Sequence, residues 1–419
     1  MSLNTAHALT PAAQKRGARR QRLDRMFRFA GLAALMMMSV IVVLLLGAIL
    51  WRGLPAFTQH QVRLDITFPA PQPEAVSNTD YGQLIRQALA QRFPDAAPED
   101  IRALRKIISP SARLTVRDAL QANPDWAGQT HSLWLAVSAK TQTYLRSPGR
   151  ATELGERDPK VLTWLADLND NADIRRAFRA TLFQRGDSRR AQSVGILGAL
   201  AGSALTLTVT LVLAFPIGLA SAIYLQEFAP KSRLVDLLEV NINNLAAIPS
   251  ILYGLLGLAV FINVFHLPRA TPLVGGMTLA LMTLPTVIIS SRAALAAVPK
   301  DLRAASLSLG ASHVQTVFHH ILPSAMPGVL TGTILAVAQA LGETAPLLLI
   351  GMLAFIVDVP TQVTDVATAL PAQIFLWAEN PDEAFSDSAA AAIVVLLLML
   401  LSLNAAAVFL RTRLEKRRW

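Results

Sequence analysis

The chain has 419 residues, of which 53% are hydrophobic and 16% are charged, and its mean hydropathy is +0.43. Ordinary soluble proteins carry more charge, so this composition is typical of a polytopic membrane protein. The chain contains no cysteine, which excludes disulfide bonds, thiolate metal sites and cysteine nucleophiles. The net charge is +10.

Basic residues cluster at both ends of the chain. Seven Lys or Arg residues lie within 1–28, and five more lie within 411–419. Because positive residues beside membrane spans mark the cytoplasmic side, we expect both tails to be cytoplasmic. Nucleic-acid binding is a minor alternative for such tails. Residues 29–50 exceed a signal-peptide core and no small-residue cleavage site follows, so they predict a retained first transmembrane helix.

Six stretches are long and apolar enough to cross a bilayer, once polar interruptions in the third and fifth are allowed. They are 29–50, 198–225, 238–264, 273–297, 328–350 and 388–410. The loops 227–236 and 298–327 carry Lys and Arg, whereas the connection 351–388 carries six acids and no base. This asymmetry places the two loops inside and the connection outside. We therefore predict an all-α polytopic membrane protein with six transmembrane helices, five of them in a core at 193–410.

The polar segment 51–192 is predicted to form a periplasmic insertion after the first helix. After a Pro-rich piece, five stretches show apolar residues at three- and four-residue spacing, the last being ADIRRAFRATLF at 172–183. We expect a mainly helical domain with a few short strands around HSLWLAVSA at 131–139. No catalytic constellation is visible in it, so a structural or docking role is favoured.

The inner loop 298–327 is the most informative hydrophilic segment. It predicts a helical element that starts after Pro299, turns at Gly310 and ends at Leu322 and Pro323. Lying across the inner membrane face, such an element is suited to a groove on a cytoplasmic partner. Periodicity alone favours a plain amphipathic connector.

The amino-acid sequence of this loop, LRAASLSLGASHVQTVFHHILP, resembles the coupling loop of ABC-importer permeases. That family's pattern is Glu-Ala-Ala, three residues, Gly, nine residues, Ile, one residue and Leu-Pro. Ala304 replaces the glutamate, Ser306 the second alanine and His320 the isoleucine, while the spacing is kept. The resemblance implies contact with an ATPase through Arg303, Ala304, Ala305, Gly310, Leu322 and Pro323.

Three further stretches resemble the phosphate-specific importer permeases. They are AIPSILYGLLGL at 247–258, LGETAPLLLIG at 341–351 and ALPAQIFLWAENPDEAF at 369–385. They are similar to the PstA-like rather than the PstC-like subunit, and the resemblance covers about 198–410. Some relatives also carry a large insertion after the first span.

Membership of this family implies a multi-subunit transporter in the bacterial inner membrane. Its parts are a PstC-like second permease, PstB-like ATPase subunits and a periplasmic PstS-like phosphate-binding protein. The chain has no G-x-x-x-x-G-K-[ST] phosphate loop, so ATP and magnesium are expected in the partner ATPase and no cofactor in this chain. The chain is expected to be a transport permease and not an enzyme.

Two ionisable residues are placed in the interior of predicted spans, where such groups are costly and usually functional. Arg292 lies seven residues before Pro299, so it either lines the pathway or snorkels to the interface. Glu343 lies deeper, and two interpretations stay open for it. It pairs with a basic residue of the partner permease, or it positions a cationic group that attracts phosphate. A bare carboxylate repels an anion, so direct contact between Glu343 and phosphate is not expected.

The predicted pathway departs from the family at several positions. Gln339 stands where an arginine is common, Ile289 stands where another is common, and Arg292 occupies a place often held by glutamate. The predicted substrate pathway comprises Arg292, Glu343, Gln339, Thr344 and Asn243. Asn243 either donates to an anion or bridges helices.

Other substrates and other functions are alternatives to phosphate import. An importer of another oxyanion fits the altered charges, and a passive channel or a membrane sensor is a rival from another class. Neither channel nor sensor needs an ATPase-docking loop. His313, His319 and His320 form no expected metal site, because adjacent histidines face different sides of a helix and no acid lies at ligand spacing.

Overall fold

A computed structural model describes residues 11–70, 80–146, 159–188, 191, 193–353, 355–381 and 384–416. The chain divides into two compact units, Met1–Arg52 and Gly53–Trp419. The first unit holds nearly all of helix α1, Pro11–Gly53, whose side chains are exposed along most of its length. Its apolar part, 29–50, is long enough to cross a bilayer, and the basic first part of the helix extends beyond it.

The second unit begins with an α+β domain. A short 3₁₀ turn, Leu54–Phe57, leads into a three-stranded antiparallel sheet of order β2-β1-β3. Leu64 pairs with Leu133 on one side of β1, and Val62 pairs with Ile174 on the other. The strands are β1 Thr58–Thr67, β2 Thr130–Ala136 and β3 Ile174–Phe178.

Helices cover one face of this sheet. The side chains of Val62, Leu64 and Ile66 alternate toward the helices and are fully buried, whereas the residues between them are exposed. This alternation follows from the two-residue period of a strand. The helices of the domain are α2 Tyr81–Arg92, α3 Pro98–Leu104, α4 Ala112–Ala122, α5 Ala139–Arg146, α6 Pro159–Asp170 and α7 Thr181–Gln184.

The sequence prediction for this domain needs a correction. A strand near HSLWLAVSA is present as β2, but the sheet also contains β1 and β3, which were not predicted. ADIRRAFRATLF, predicted as a helix, forms β3 and the single turn α7. Its Ile174, Ala177 and Phe178 fit helical spacing, but pairing with β1 satisfies the backbone better than a short isolated helix does.

The α+β domain is fixed to the helical core by buried polar contacts. Arg146 pairs with Asp387 and donates to the carbonyl oxygens of Pro55 and Thr58 at 2.6 and 2.9 Å. Burial lowers the pKa of Arg179 to about 10, so it stays protonated at neutral pH. The Arg179 guanidinium donates to Ser388 Oγ at 3.3 Å.

The helical core contains four straight apolar helices and one bent pair. The straight ones are α8 Leu197–Ile223, α11 Pro272–Ala296, α14 Leu322–Leu341 and α17 Ala384–Lys416. A shorter helix, α16 Leu370–Ala378, precedes α17. The bent pair is α9 Arg233–Ala246 and α10 Ser250–Leu256, which continues as a π-helix through Gly257–Val264. Among the described residues, five helices including α1 are long and apolar enough to span a membrane, or six if the bent pair counts as one.

Two predicted spans differ from the structure. The third, 238–264, is not one straight helix, because the chain bends by 104° between α9 and α10. The fifth, predicted at 328–350, is a helix that runs over His313–Leu341. Glu343 therefore follows the end of that helix and does not lie at the centre of a span.

The predicted coupling segment has the expected start and turn but not the expected end. Helix α12, Lys300–Ser308, starts directly after Pro299, and Gly310 makes the turn at φ +85°. The chain then re-enters a helix at α13, His313–Gln315, and continues through a π-helical turn, Thr316–Ile321, into α14. Leu322 and Pro323 lie inside this continuous helix, and the π-helical turn directly before them is the kind of local adjustment that accommodates a proline within a membrane helix.

Candidate functional site

A cavity of about 160 Å³ lies where two interrupted helices meet α11. One interruption separates α9 from α10, and the other separates α14 from α15, Ala345–Leu349. The polar lining residues are Ser250, Tyr253, Thr283, Thr286, Gln339 and Glu343. Irregular backbone inside a membrane protein is tolerated where it lines a cavity, and discontinuous helices at such a place are typical of transport sites.

The first interruption is explained by AIPS at 247–250. Pro249 disfavours helical geometry at Ile248, so α9 ends and α10 restarts at Ser250. The Leu245 carbonyl at the end of α9 accepts from the N–H of Ile248 at 3.1 Å and from the hydroxyl of Tyr253 at 2.8 Å. The second of these bonds ties α10 to the end of α9.

The second interruption places Glu343 at the cavity. Helix α14 ends at Leu341 with Gly342 as its C-terminal cap, and the N–H of Glu343 still reaches the Ala340 carbonyl at 3.2 Å. Helix α10 packs directly on α15, because a Cβ on Gly254 would lie 2.7 Å from the Cα of Pro346. This close approach needs glycine.

Arg292 lies outside the cavity lining and has a partner in this chain. Its guanidinium contacts Glu239 of α9 at 2.7 Å, and the two side chains are 25% and 35% exposed. Arg292 follows Thr286 by six residues on α11, or ~9 Å along a helix. The ion pair therefore ties α9 to α11 between the cavity and the coupling element. Glu239 was not singled out in the sequence, because it falls at the start of a predicted span where acids are common.

A second ion pair holds the coupling element against the end of α8. Arg303 contacts Glu227 at 2.7 Å, and the Glu227 side chain is only 5% exposed. Arg303 also donates to the carbonyl oxygens of Leu295 and Val298 at 3.0 Å each. His313 approaches the backbone carbonyl of Glu227 at 2.8 Å. Arg303, predicted as an ATPase contact, is thus engaged by its own chain.

The opposite side of the coupling element is exposed and apolar. Leu307 is 48% exposed and Leu309 is 90% exposed, and Ala304 and Ala305 are also exposed. Ser306 is buried against the protein. The position expected to hold a glutamate therefore offers a methyl group, Ala304, on an outward-facing apolar surface.

The structure brings together only part of the predicted pathway. Gln339 and Glu343 line the cavity, and Thr344, next to Glu343, is the N-terminal cap residue of α15. Asn243 is exposed on α9 and does not line the cavity. The sequence missed Ser250, Tyr253, Thr283 and Thr286, which are common residues in membrane helices. The signal that could have found them is the pair of helix breaks.

The described residues that line the cavity include no cationic side chain. Among its lining residues there is no Lys, Arg or His. The prediction that Glu343 positions a cation is therefore not met by a residue of this lining. Within the described ranges, no group of three His, Asp or Glu side chains is arranged to hold a metal ion.

Two family descriptions match separate parts of the chain. Residues 14–153 match a domain of unknown function, DUF3333, which covers the first helix and most of the α+β domain. Residues 214–419 match the binding-protein-dependent transport system inner membrane component. The first match ends before the helical core begins, and the second covers most of the core.

Relatives with assigned names are permeases. The chain is 30% identical over 224 residues to the phosphate transport system permease protein PstA 1 of Mycobacterium tuberculosis, covering 54% of this chain and 73% of that protein. It is 32% identical to PstA of Yersinia pestis, covering 51% of this chain and 71% of that one. It is 36% identical to the probable ABC transporter permease protein YqgI of Bacillus subtilis, over 37% of this chain and only about half (52%) of that protein.

A solved structure is also similar in part. An inward-facing MetNI methionine ABC transporter matches with a TM-score of 0.42 and 18% identity, over 51% of this chain and 94% of that one. The coverage and identity of the PstA proteins carry the assignment. The chain belongs to the binding-protein-dependent transport permeases, among the PstA-like members of that family.

Proposed function

We propose that this permease is the PstA-like subunit of an ATP-driven importer of inorganic phosphate. The observation that carries the proposal is the connection between the cavity and the coupling element. Helix α11 lines the cavity with Thr283 and Thr286 and leads into α12 through a three-residue link, and α14 lines it with Gln339. A displacement of α12 therefore acts on two walls of the cavity at once.

The mechanism that follows is alternating access driven from outside this chain. The exposed apolar side of α12 docks into a groove of the ATPase, while the Arg303–Glu227 pair transmits force to α8. Packed helices move as rigid elements between discrete arrangements. Closure of the ATPase subunits would pull α12, shift α11 and α14, and open the cavity toward the binding protein.

The proposed partners follow from the named relatives and the shape of this chain. They are a PstC-like permease that completes the path, PstB-like ATPase subunits that hold ATP and magnesium, and a PstS-like phosphate-binding protein. We place the chain in the inner membrane with both tails in the cytoplasm and the α+β domain on the opposite side. The basic tails and the acidic 351–388 connection support this orientation.

A second candidate substrate class is another tetrahedral oxyanion. It is favoured by one observation, namely that the residues lining the cavity include no cation where an arginine was expected at Gln339. The PstC-like permease is the proposed source of positive charge for phosphate. The PstA names of the relatives favour phosphate.

The test is uptake in cells that lack their own phosphate permeases. Expression of this chain with its three partner proteins should restore uptake of radiolabelled phosphate, and excess sulfate or molybdate should not compete. Preferential uptake of sulfate or molybdate would overturn the substrate assignment. Uptake that persists without the ATPase subunit would overturn the mechanism.

A further inference from the structure

The cavity holds a specific set of hydrogen-bond donors and acceptors. The Tyr253 hydroxyl donates to the Leu245 carbonyl, and the Thr283 hydroxyl donates to the Leu279 carbonyl at 2.9 Å. Both therefore present only oxygen lone pairs to the cavity.

Three other groups remain able to donate. Within the described parts of the chain, the side chains of Ser250, Thr286 and Gln339 make no hydrogen bond to protein. Two hydroxyls and an amide can thus donate to the ionised oxygens of an anion. The volume, about 160 Å³, is roughly ten times the ~10–15 Å³ that one water needs when a cavity is measured with a water-sized probe, which leaves room for a tetrahedral oxyanion.

Glu343 has a different requirement. An ionised carboxylate accepts hydrogen bonds and donates none. Glu343 forms no salt bridge within the described ranges, and Arg292 is already occupied by Glu239. A ligand oxygen that faces Glu343 must therefore carry a proton, because two bare anions would repel each other.

We propose that Glu343 is a specificity-determining residue that accepts a hydrogen bond from the hydroxyl of a proton-bearing tetrahedral oxyanion, and that it rejects fully ionised oxyanions such as sulfate. This inference rests on the proposed function and deepens it. Repulsion by Glu343 applies to an oxygen without a proton, whereas a protonated oxygen can donate to the carboxylate. Near neutral pH phosphate and arsenate retain at least one, whereas sulfate has none.

The physical basis is the asymmetry between a matched and an unmatched hydrogen bond. An O–H donating to a carboxylate is a short, charge-assisted bond. A ligand without the proton loses that bond and adds a like-charge contact, and discrimination of this kind comes from the repulsive element as much as from the attractive one. Glu343 is half-buried, so solvent weakens the effect but does not remove it.

The experiment measures anion selectivity in the complex of both permeases and the ATPase, in nanodiscs and without the binding protein, which would impose its own selectivity. Bound radiolabelled phosphate is displaced by unlabelled arsenate or sulfate at pH 7. In the wild-type complex we expect arsenate to displace at least tenfold more effectively than sulfate. Glu343→Gln should reduce that ratio at least tenfold, because an amide does not repel sulfate.

Two variants control the measurement. Glu343→Asp keeps the carboxylate and should keep most of the ratio, and Glu379→Gln removes an exposed acid outside the cavity and should keep all of it.

The outcomes separate the two proposals. A complex that binds phosphate with an unchanged arsenate-to-sulfate ratio in Glu343→Gln contradicts the role of Glu343 and leaves the phosphate importer standing. If Glu343→Gln fails to assemble, a wild-type complex in which sulfate displaces phosphate as effectively as arsenate does contradicts the role in the same way. A wild-type complex that neither binds nor transports phosphate overturns the proposed function, and this inference with it.

Discussion

Gly310 shows how one residue sets the geometry of the coupling element. Its φ of +85° lies in the left-handed region, and no atom lies within 4 Å of the position where a Cβ would be. The position is therefore sensitive to backbone conformation and insensitive to side-chain volume. The sequence identified Gly310 from its spacing in the loop, and the structure supplies the reason that glycine is needed there.

Gly310→Val should reduce ATP-driven phosphate uptake while the chain still inserts in the membrane. A β-branched residue at positive φ carries a strain of ~1–3 kcal/mol, which the turn relieves by changing the angle between α12 and α13. Gly310→Asn is the matched control, because asparagine adopts left-handed geometry more readily. Equal uptake by the wild type and the valine variant would show that this turn does not set the docking geometry.

Asp187 is a half-buried carboxylate that the sequence gave no reason to single out. It accepts hydrogen bonds from Gln373 Nε2 at 3.1 Å, from Trp377 Nε1 at 3.2 Å and from the backbone N–H of Ser188 at 2.8 Å. Burial raises the pKa of Asp187 above its ordinary value of 3.8, despite these bonds. The folded state therefore binds the proton more tightly than the unfolded state does.

A pH dependence of stability follows from this raised pKa. Where the folded protein holds more protons, stability falls as pH rises, so the contribution of Asp187 is largest below pH 3.8 and declines through its raised pKa. Asp187→Asn should remove this decline from a plot of melting temperature against pH. It should also lower stability overall, because the NH₂ group of the asparagine would face the N–H donors that bond to the carboxylate. Parallel plots for the two proteins would contradict the assignment.

At the scale of elements, α12 depends on the ion pair between Arg303 and Glu227. Removing one member leaves the other as an unpaired charge, and breaking such a buried pair costs ~3–5 kcal/mol. Arg303→Met should therefore lower the melting temperature of the complex and uncouple ATP hydrolysis from uptake. The double variant Arg303→Met with Glu227→Met should recover most of the melting temperature, because no buried charge remains.

The double-variant cycle also separates two roles for Arg303. If Arg303 instead contacts the ATPase, the double variant should stay as defective in ATPase binding as Arg303→Met alone. Recovery of both stability and ATPase binding supports the internal pair, which lies at 2.7 Å.

Sequence reasoning located elements best where hydrophobicity alone decides them. Helices α8 and α11 lie within two residues of their predicted spans. It failed at AIPS and at GETAP, where Pro249 and Pro346 interrupt apolar runs that hydropathy reads as continuous. It also missed β1 and β3, because strand pairing joins residues more than 100 positions apart, such as Gln61 and Arg175, and periodicity is a local signal.

Only two of the polar residues that line the cavity, Gln339 and Glu343, were predicted from the sequence. Gln339 and Glu343 line the cavity as expected of pathway residues, since polar groups stand out in an apolar run. Thr283 and Thr286 did not stand out. Arg292 and Glu239 could not be paired beforehand, because their contact depends on the angle between α9 and α11.

At the scale of the whole molecule, the orientation in the membrane is directly measurable. The chain contains no cysteine, so each single-cysteine variant has one labelling site. Gln91→Cys and Asp358→Cys should react with an impermeant maleimide in intact spheroplasts, whereas Lys300→Cys should react only after permeabilisation. All three positions are exposed, so reactivity reports the side of the membrane. Labelling of Lys300→Cys in intact spheroplasts would invert the proposed topology.

The central claim is that phosphate passes through the cavity between the two helix breaks, driven by ATP hydrolysis in partner subunits. The most direct test is uptake of radiolabelled phosphate into proteoliposomes that contain the complete complex, with ATP on the ATPase side and binding protein on the other. The wild type should accumulate phosphate only with ATP. Thr286→Trp, which fills much of the 160 Å³ cavity, should abolish accumulation in a complex that still assembles. Undiminished ATP-driven uptake by an assembled Thr286→Trp complex would contradict the account.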